Sequence, residues 1–412
     1  MAAGTGRIRM NLPHATMCVL PWVSLETSPI GTVRPCCLAE QEITDDSGQK
    51  FHLTQHTLSD IQHSAYMQDL RQQFLRGERP ATCRKCWREE DAGRTSKRMH
   101  TLDRLKHLIQ DQPWTQDARP LLFLDLKLGN ICNLKCRICG SWSSSTFAAE
   151  ELSALPHSQR RQSYHYDMVR QGAWPRNSDH FWQDLDAVTP DIRYIEFTGG
   201  EPFMIDQHFD LLQRLVDQGR AANIEIHYNT NGTLWPQRGP DIWRHFRLVE
   251  IAFSIDDVGE RFEYQRSNAV WQEVEQNIQR FRELRAQCNN IQLQVCSTVN
   301  VFNVMYLDEL ARWNRAQDFD FVYWNMLHEA FYFSISTLPD QAKTRVVESL
   351  RRANVPQQDL DEFRRIEAFM LSGPSLDGHL LRGKIRELDQ RRGQDLRRVA
   401  PQLAEAILYD GA

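Results

Sequence analysis

The sequence predicts an α/β protein: a partial (β/α)6 TIM-like barrel, with a cysteine-rich hairpin region ahead of it and a helical tail behind. Three observations carry this. Short apolar segments of strand length alternate with helical-period segments from about residue 121 to 327. The stretch before them holds a turn-marked hairpin pattern and most of the cysteines. The stretch after them, 336–412, is charged and carries its apolar residues at helical spacing.

The first region is taken as 1–116. Within it 22–35 reads as a hairpin with Gly31 at the turn, 58–76 as a polar helix, and 101–110 as a second, basic helix. Asp111, Gln112 and Pro113 read as the end of that helix and a linker. The second region, 117–335, holds six strands, at 121–128, 194–198, 224–228, 249–254, 291–299 and 321–326. Helices such as 209–218 and 270–285 lie between them. Strands joined by crossovers of that length pair in parallel. Six β-α units are too few to close an eight-fold barrel.

Along the fifth strand Gln292, Gln294, Cys296, Thr298 and Asn300 share one parity, and Ile291, Leu293, Val295 and Val299 share the other. Successive side chains point to opposite faces. The apolar parity should meet the helices and the polar parity should line the barrel, which predicts a ligand cavity. The third region, 336–412, carries apolar stripes at 346–350, 360–370 and 380–396, and these predict a helical cap packed on the barrel.

At 412 residues the chain is long enough for two or three domains. Hydrophobic residues make up 41% and charged ones 25%, which argues for a folded core and against a disordered chain. A net charge of −5 argues against nucleic-acid binding through bulk charge. No apolar run approaches the roughly 18 residues that span a bilayer. Residues 1–22 lack the apolar core of a secretory signal. The expectation is a cytoplasmic chain without membrane contact.

Ten cysteines stand at 18, 36, 37, 83, 86, 132, 136, 139, 288 and 296. A long chain in a reducing compartment does not rest on disulfides, and clustered cysteines there point to metal. Cys132, Cys136 and Cys139 are spaced C-x3-C-x2-C directly after the first barrel strand. Three thiolates on one short loop can hold three irons of a cubane cluster and leave the fourth open. Structural zinc takes four ligands, often as CxxC pairs, so this spacing suits a cluster better.

At this point the chain resembles the radical S-adenosylmethionine (SAM) enzymes. Their three-cysteine loop matches Cys132, Cys136 and Cys139, and their Gly-Gly-Glu-Pro motif matches Gly199, Gly200, Glu201 and Pro202 at the end of the second strand. Asn229, Asn231 and Gly232 close the third strand; Ser254 and Asp256 close the fourth, followed by Tyr264 and Arg266. All stand at strand C-terminal ends, where parallel α/β folds place their sites. The resemblance implies that the methionine amino and carboxylate groups chelate the open iron. Gly199 and Gly200 would let backbone approach the ligand, and Glu201 would orient its amino group. Arg266 would pair with its carboxylate. Asn229, Ser254 and Asp256 would meet ribose or carboxylate, Ile138 would pack near adenine, and Asn300 would complete the cofactor-binding set.

A second cysteine group, Cys18, Gly31, Cys36, then Cys83 and Cys86, resembles the auxiliary-cluster modules known as SPASM and twitch. Spacing from Gly31 selects Cys36, with Cys37 beside it as the other choice. Four ligands imply one fully coordinated auxiliary [4Fe-4S] cluster; zinc on two cysteine pairs stays open as the alternative. The module precedes the barrel here, whereas it usually follows. Glu89, Gly93, Ser96 and Arg98, and the tail from Leu388 to Leu403, extend the likeness to twitch-type radical proteins.

The resemblance implies reductive cleavage of SAM to a 5′-deoxyadenosyl radical and hydrogen abstraction from a substrate, fed by a flavodoxin- or ferredoxin-type reductant. An auxiliary cluster without an open iron implies electron transfer, hence dehydrogenation or cross-linking of a small molecule or peptide. The first region is occupied by cysteines, and no separate leader-peptide-binding domain is evident. Tyr323, Trp324, Asn325 and His328 are expected on the substrate side. Two alternatives stand: a radical epimerase with Cys37, Cys288 or Cys296 as hydrogen donor, and a non-catalytic zinc or iron–sulfur protein on the same fold.

Overall fold

The computed structural model describes residues 12–91, 93, 95–109 and 113–408. Among the described residues ten strands form: β1 (Ser24–Thr27), β2 (Val33–Arg34), β3 (Phe123–Lys127), β4 (Lys135–Cys136), β5 (Tyr194–Thr198), β6 (Glu225–Thr230), β7 (Leu248–Ser254), β8 (Arg266–Ser267), β9 (Ile291–Val299) and β10 (Phe321–Met326). Six of them, β3, β5, β6, β7, β9 and β10, are the expected barrel strands. They lie side by side in chain order, every pair parallel. Burial alternates cleanly along β6 and β9, as period two requires of a sheet with one apolar and one polar face.

The apolar face packs on helices. Helix Asp206–Asp217 turns Phe209, Leu212 and Leu215 inward. Phe203, Phe209, Tyr228, Trp243 and Phe281 form a continuous aromatic cluster, with Phe203 and Phe281 stacked at 6.3 Å. Each such ring is worth about 1.5–3 kcal/mol when removed from water.

The sheet has eight strands, two more than expected. β1 pairs in parallel with β3, Ser24 opposite Phe123, and β2 continues from β1 as an antiparallel edge. The first region therefore widens the barrel wall. Trp22, expected in the hairpin, instead lies in the short helix Leu20–Val23. Gly31 turns the hairpin with φ +88°.

The expected helix 58–76 is two helices, Leu58–Gln62 and Ala65–Leu75. Thr57 closes a capping box on the first, and Ser64 caps the second by accepting from Met67 N, so the chain restarts where a serine can satisfy free N–H groups. The basic helix runs Lys97–Leu105, earlier than expected, because Ser96 caps it. Gln110, Asp111 and Gln112 lie outside the described residues.

The tail is helical as expected: Asp340–Arg352, Gln357–Ser372, His379–Arg392, Leu396–Val399 and Pro401–Leu408. The expected helix over 380–396 ends at Gly393, whose φ of +62° a residue with Cβ rarely adopts. Among the described residues no helix is long and apolar enough to cross a membrane.

Candidate active site

Beyond β3 the chain turns into the cysteine loop. Cys132 and Cys136 are buried and Cys139 is half-buried. Thr146 Oγ1 donates to Cys132 O (2.5 Å) and Leu134 N to Cys132 Sγ (3.4 Å). Cys136 sits in the β4–β8 ladder directly opposite Arg266. A hydrogen bond from Cys136 to Cys139 raises the first thiol and lowers the second. Burial, with Cys136 beside it, pushes Cys132 up to about 12. Two nitrogens face the sulfurs: Arg266 Nη1 lies 3.7 Å from Cys136 Sγ, and Asn231 Nδ2 lies 3.9 Å from Cys132 Sγ. Buried thiols resist ionisation; ligation to iron removes that penalty, and N–H groups directed at the sulfurs suit a cluster. The donor set fits a [4Fe-4S] group.

The Gly-Gly turn sits on this loop. Gly199 and Gly200 have φ of +76° and +52°. A Cβ on Gly200 would stand 2.3 Å from Ile131 O, and one on Gly199 would stand 2.9 Å from Gly129 O. Both glycines thus approach the backbone of the cysteine loop closely. Glu201 N donates to Ile131 O (2.8 Å). The Glu201 side chain is fully buried and accepts from Asn231 N (2.8 Å), Thr230 Oγ1 (2.9 Å) and Phe203 N (3.2 Å). Burial raises this carboxyl to about 7 against those bonds. It ties the second strand end to the third. Pro202 opens the single turn Pro202–Met204.

Arg266 donates from Nε (3.0 Å) and Nη2 (2.6 Å) to one oxygen of Asp256, whose other oxygen accepts from Thr298 N (2.8 Å). Both groups are buried. Asn300 is buried in a turn, accepting from Phe302 N (2.8 Å) and donating to Thr298 O (2.9 Å). Ser254, Asn229 and Ile138 are half-buried.

Inside the barrel lies a cavity of about 390 Å³. Gln294 and Cys296 line it, as their parity requires, with Tyr194, Glu196, His227 and Asn229 from β5 and β6. Tyr323, Asn325 and His328 line it too, but Trp324 turns away and meets Phe363 edge-on at 6.1 Å. Cys288 is half-buried outside the cavity lining.

The unexpected wall is helix Lys97–Leu105. Lys97 Nζ reaches Glu196 (3.1 Å), and Arg104 Nη2 reaches Glu250 (2.6 Å) and Glu225 (3.3 Å). Glu250 also meets His227 Nδ1 (3.3 Å) and Gln294 Nε2 (2.9 Å). Burial raises Glu250, but His227 and Arg104 outweigh it and hold this carboxyl down at about 2. Glu196 and His227 were missed in the sequence, although a charged or imidazole side chain inside a half-buried strand is a visible signal. Lys97 and Arg104 gave none, because a helix period does not name its partner.

The second cysteine group gathers as well. Cys18, Cys36, Cys83 and Cys86 line one small cavity. Burial raises all four thiols, Cys86 to about 11, and neighbouring thiols in the set raise Cys18, Cys83 and Cys86 further. Among the described residues no three His, Cys, Asp or Glu side chains gather as a single metal ion needs; these four thiols surround a space. Cys37 points elsewhere and lines the barrel cavity. Leu38 and Lys97 line both cavities.

The sequence matches the Radical SAM superfamily over residues 126–293 and the iron–sulfur cluster-binding domain SPASM over residues 18–87. The barrel thus carries a radical SAM region, with a SPASM region ahead of it. Its cofactors are a [4Fe-4S] cluster with an open iron, SAM, and an auxiliary [4Fe-4S] cluster. None of the curated proteins matches.

Among solved structures, native anSMEcpe with bound AdoMet is similar at 15% identity and a TM-score of 0.37, over 59% of this chain and 60% of that one. SuiB of Streptococcus suis bound to the precursor peptide SuiA is similar at 13% identity and a TM-score of 0.34, over 84% and 71%. The chain spans about three-fifths of the length of the anSMEcpe structures it matches.

Proposed function

We propose that this protein is a radical enzyme that oxidises or cross-links a small molecule or peptide held in the barrel cavity. In this reading Cys132, Cys136 and Cys139 hold the cluster that binds SAM. Cys18, Cys36, Cys83 and Cys86 hold the auxiliary one. A cytoplasmic flavodoxin- or ferredoxin-type protein supplies electrons. When bound, the cofactors would supply a 5′-deoxyadenosyl radical and an electron-accepting centre.

The observation that carries the reading is the shared wall: Leu38 and Lys97 face both the four-thiol cavity and the barrel cavity. A substrate there lies one side-chain layer from the auxiliary site. The chain's own groups prepare the place. Tyr194 and Tyr323 give it flat walls, and Asn229 and Asn325 supply neutral donors and acceptors. Lys97 and Arg104 are already paired with Glu196 and Glu250, so these cations hold the cavity's shape.

A second reading rests on the two thiols lining the same cavity. Burial keeps Cys37 and Cys296 protonated, Cys296 up to about 12, which is the S–H form an epimerase needs to return a hydrogen atom.

The test is anaerobic reconstitution, followed by iron, acid-labile sulfide and 5′-deoxyadenosine after dithionite. The proposal expects about eight irons and deoxyadenosine formation, with deoxyadenosine lost in Cys136→Ala. Protein with neither iron nor deoxyadenosine refutes it. Four irons plus zinc would remove the auxiliary cluster and with it the oxidative reading.

A further inference from the structure

The tail motif from Leu388 onward takes no part in the reading above, yet it reaches the cysteine loop. Arg137, between two of the loop's cysteines, is fully buried. It donates from Nη2 to Asp389 Oδ1 (2.6 Å) and to Gln394 Oε1 (2.9 Å), and from Nε to Tyr264 O (2.9 Å). Its guanidinium lies 3.6 Å from the centre of the Tyr264 ring. Asp389 Oδ1 also accepts from Tyr264 OH (2.8 Å), and Oδ2 accepts from Leu396 N (3.1 Å).

Gly393 makes this possible. Its left-handed φ of +62° reverses the chain after helix His379–Arg392, so Gln394 returns to the same guanidinium. The grip is repeated one residue away. Arg392 donates from Nε (3.1 Å) and Nη2 (2.7 Å) to Glu150 Oε2, and Glu150 holds Lys135 Nζ (2.5 Å). Arg392 Nη1 and Gln394 Oε1 each meet Ser267 Oγ at 3.2 Å. Cys136 and Arg266 face each other in the β4–β8 ladder. The tail thus holds Lys135 and Arg137 on either side of Cys136, and Tyr264 and Ser267 near Arg266.

We propose that the segment from Asp389 to Gln394 is a clamp that fixes Cys136 and Arg266 in the geometry SAM binding requires, with Asp389, Arg392 and Gln394 as positioning residues. The inference rests on the reading that Cys136 is a cluster ligand and Arg266 faces SAM. All three act through Arg137, Glu150 and Ser267, to which they are hydrogen-bonded. Partners of this kind around a metal ligand change metal affinity or activity by about 10–100-fold when removed.

The test uses the full-length reconstituted protein and three variants: Asp389→Asn, Gln394→Met, and, as a control in a distant exposed tail pair, Arg351→Met. SAM affinity is measured from the shift in the electron paramagnetic resonance of the reduced cluster, and the melting temperature of each variant is recorded beside it. The expected result is SAM affinity weaker by about tenfold in Asp389→Asn and Gln394→Met. The iron content of both sites should be kept, and Arg351→Met should bind as wild type. If Asp389→Asn does not fold, Gln394→Met, which removes one neutral acceptor, carries the comparison alone. Wild-type affinity and a wild-type SAM-induced shift in a folded clamp variant overturn the clamp. Wild-type protein that takes up no cluster overturns the functional reading beneath it, a failure visible before any variant is made.

Discussion

Substituting Gly200 by alanine should disable SAM chemistry through the cysteine loop. The residue has φ +52°, a conformation that costs an L side chain about 1–2 kcal/mol. That part is shared with Gly219, where φ is +70° and nothing lies within 4 Å of an added Cβ. Gly200 carries a second cost. Its Cβ would stand 2.3 Å from Ile131 O, against an ordinary contact of about 3.3 Å, so the loop must retreat by about 1 Å. The Glu201 N to Ile131 O bond crosses the same seam and would be lost with it. A displacement of that size at a reacting centre costs about 100-fold in rate. The assay is 5′-deoxyadenosine formation per reconstituted cluster in Gly200→Ala, beside Gly219→Ala with its similar backbone strain. The reasoning expects a drop of about 100-fold in the first and near wild-type turnover in the second. Equal turnover in both would refute the claim that the close approach holds the cysteine loop in place.

His208 is buried, hydrogen-bonded to Ile205 O and to Tyr228 OH, and its pKa is pushed down to about 3 by burial. Unfolded, it titrates near 6.5, so the unfolded chain binds the extra proton between those values and stability falls as pH drops below about 6.5. From pH 7.5 to pH 5 the loss attributable to His208 is about 2 kcal/mol. Urea denaturation at both pH values should show that part of the slope missing in His208→Gln. The adjacent cysteines should separate cleanly: Cys36→Ala should lose about four irons and Cys37→Ala none, because only the first faces the four-thiol cavity. Equal iron loss in the two would refute that assignment.

The barrel was legible because its inner face is polar. Alternation in 291–299 announced both a strand and a cavity, and Gln294 and Cys296 line that cavity. The three loop cysteines were legible from their spacing, and the Gly-Gly turn from its resemblance to the radical SAM motif, since each lies on one short segment after a strand. Local pattern could not show what closes the cavity. Helix Lys97–Leu105 has apolar and charged positions that would suit many partners, and only the fold brings Arg104 to Glu250. Arg137 and Asp389 are 252 positions apart, and each reads as an ordinary surface charge until the tail is placed. The break between Gln62 and Ala65 was within reach, for Thr57 and Ser64 are both strong caps. There the run of helix-forming residues outweighed the capping signal.

The pairing of β1 with β3 bears on how the protein is made. Ser24 must wait for Phe123, so the wall that carries the early cysteines stays unfinished until the ribosome has delivered nearly a hundred further residues. The four-thiol cavity itself is lined only by residues between Cys18 and Arg98, so its parts are all delivered before the barrel's first strand, while the β1 wall beside it still lacks its parallel partner. A fragment ending before that strand leaves β1 without its parallel partner and should fold poorly even when supplied with iron and sulfide.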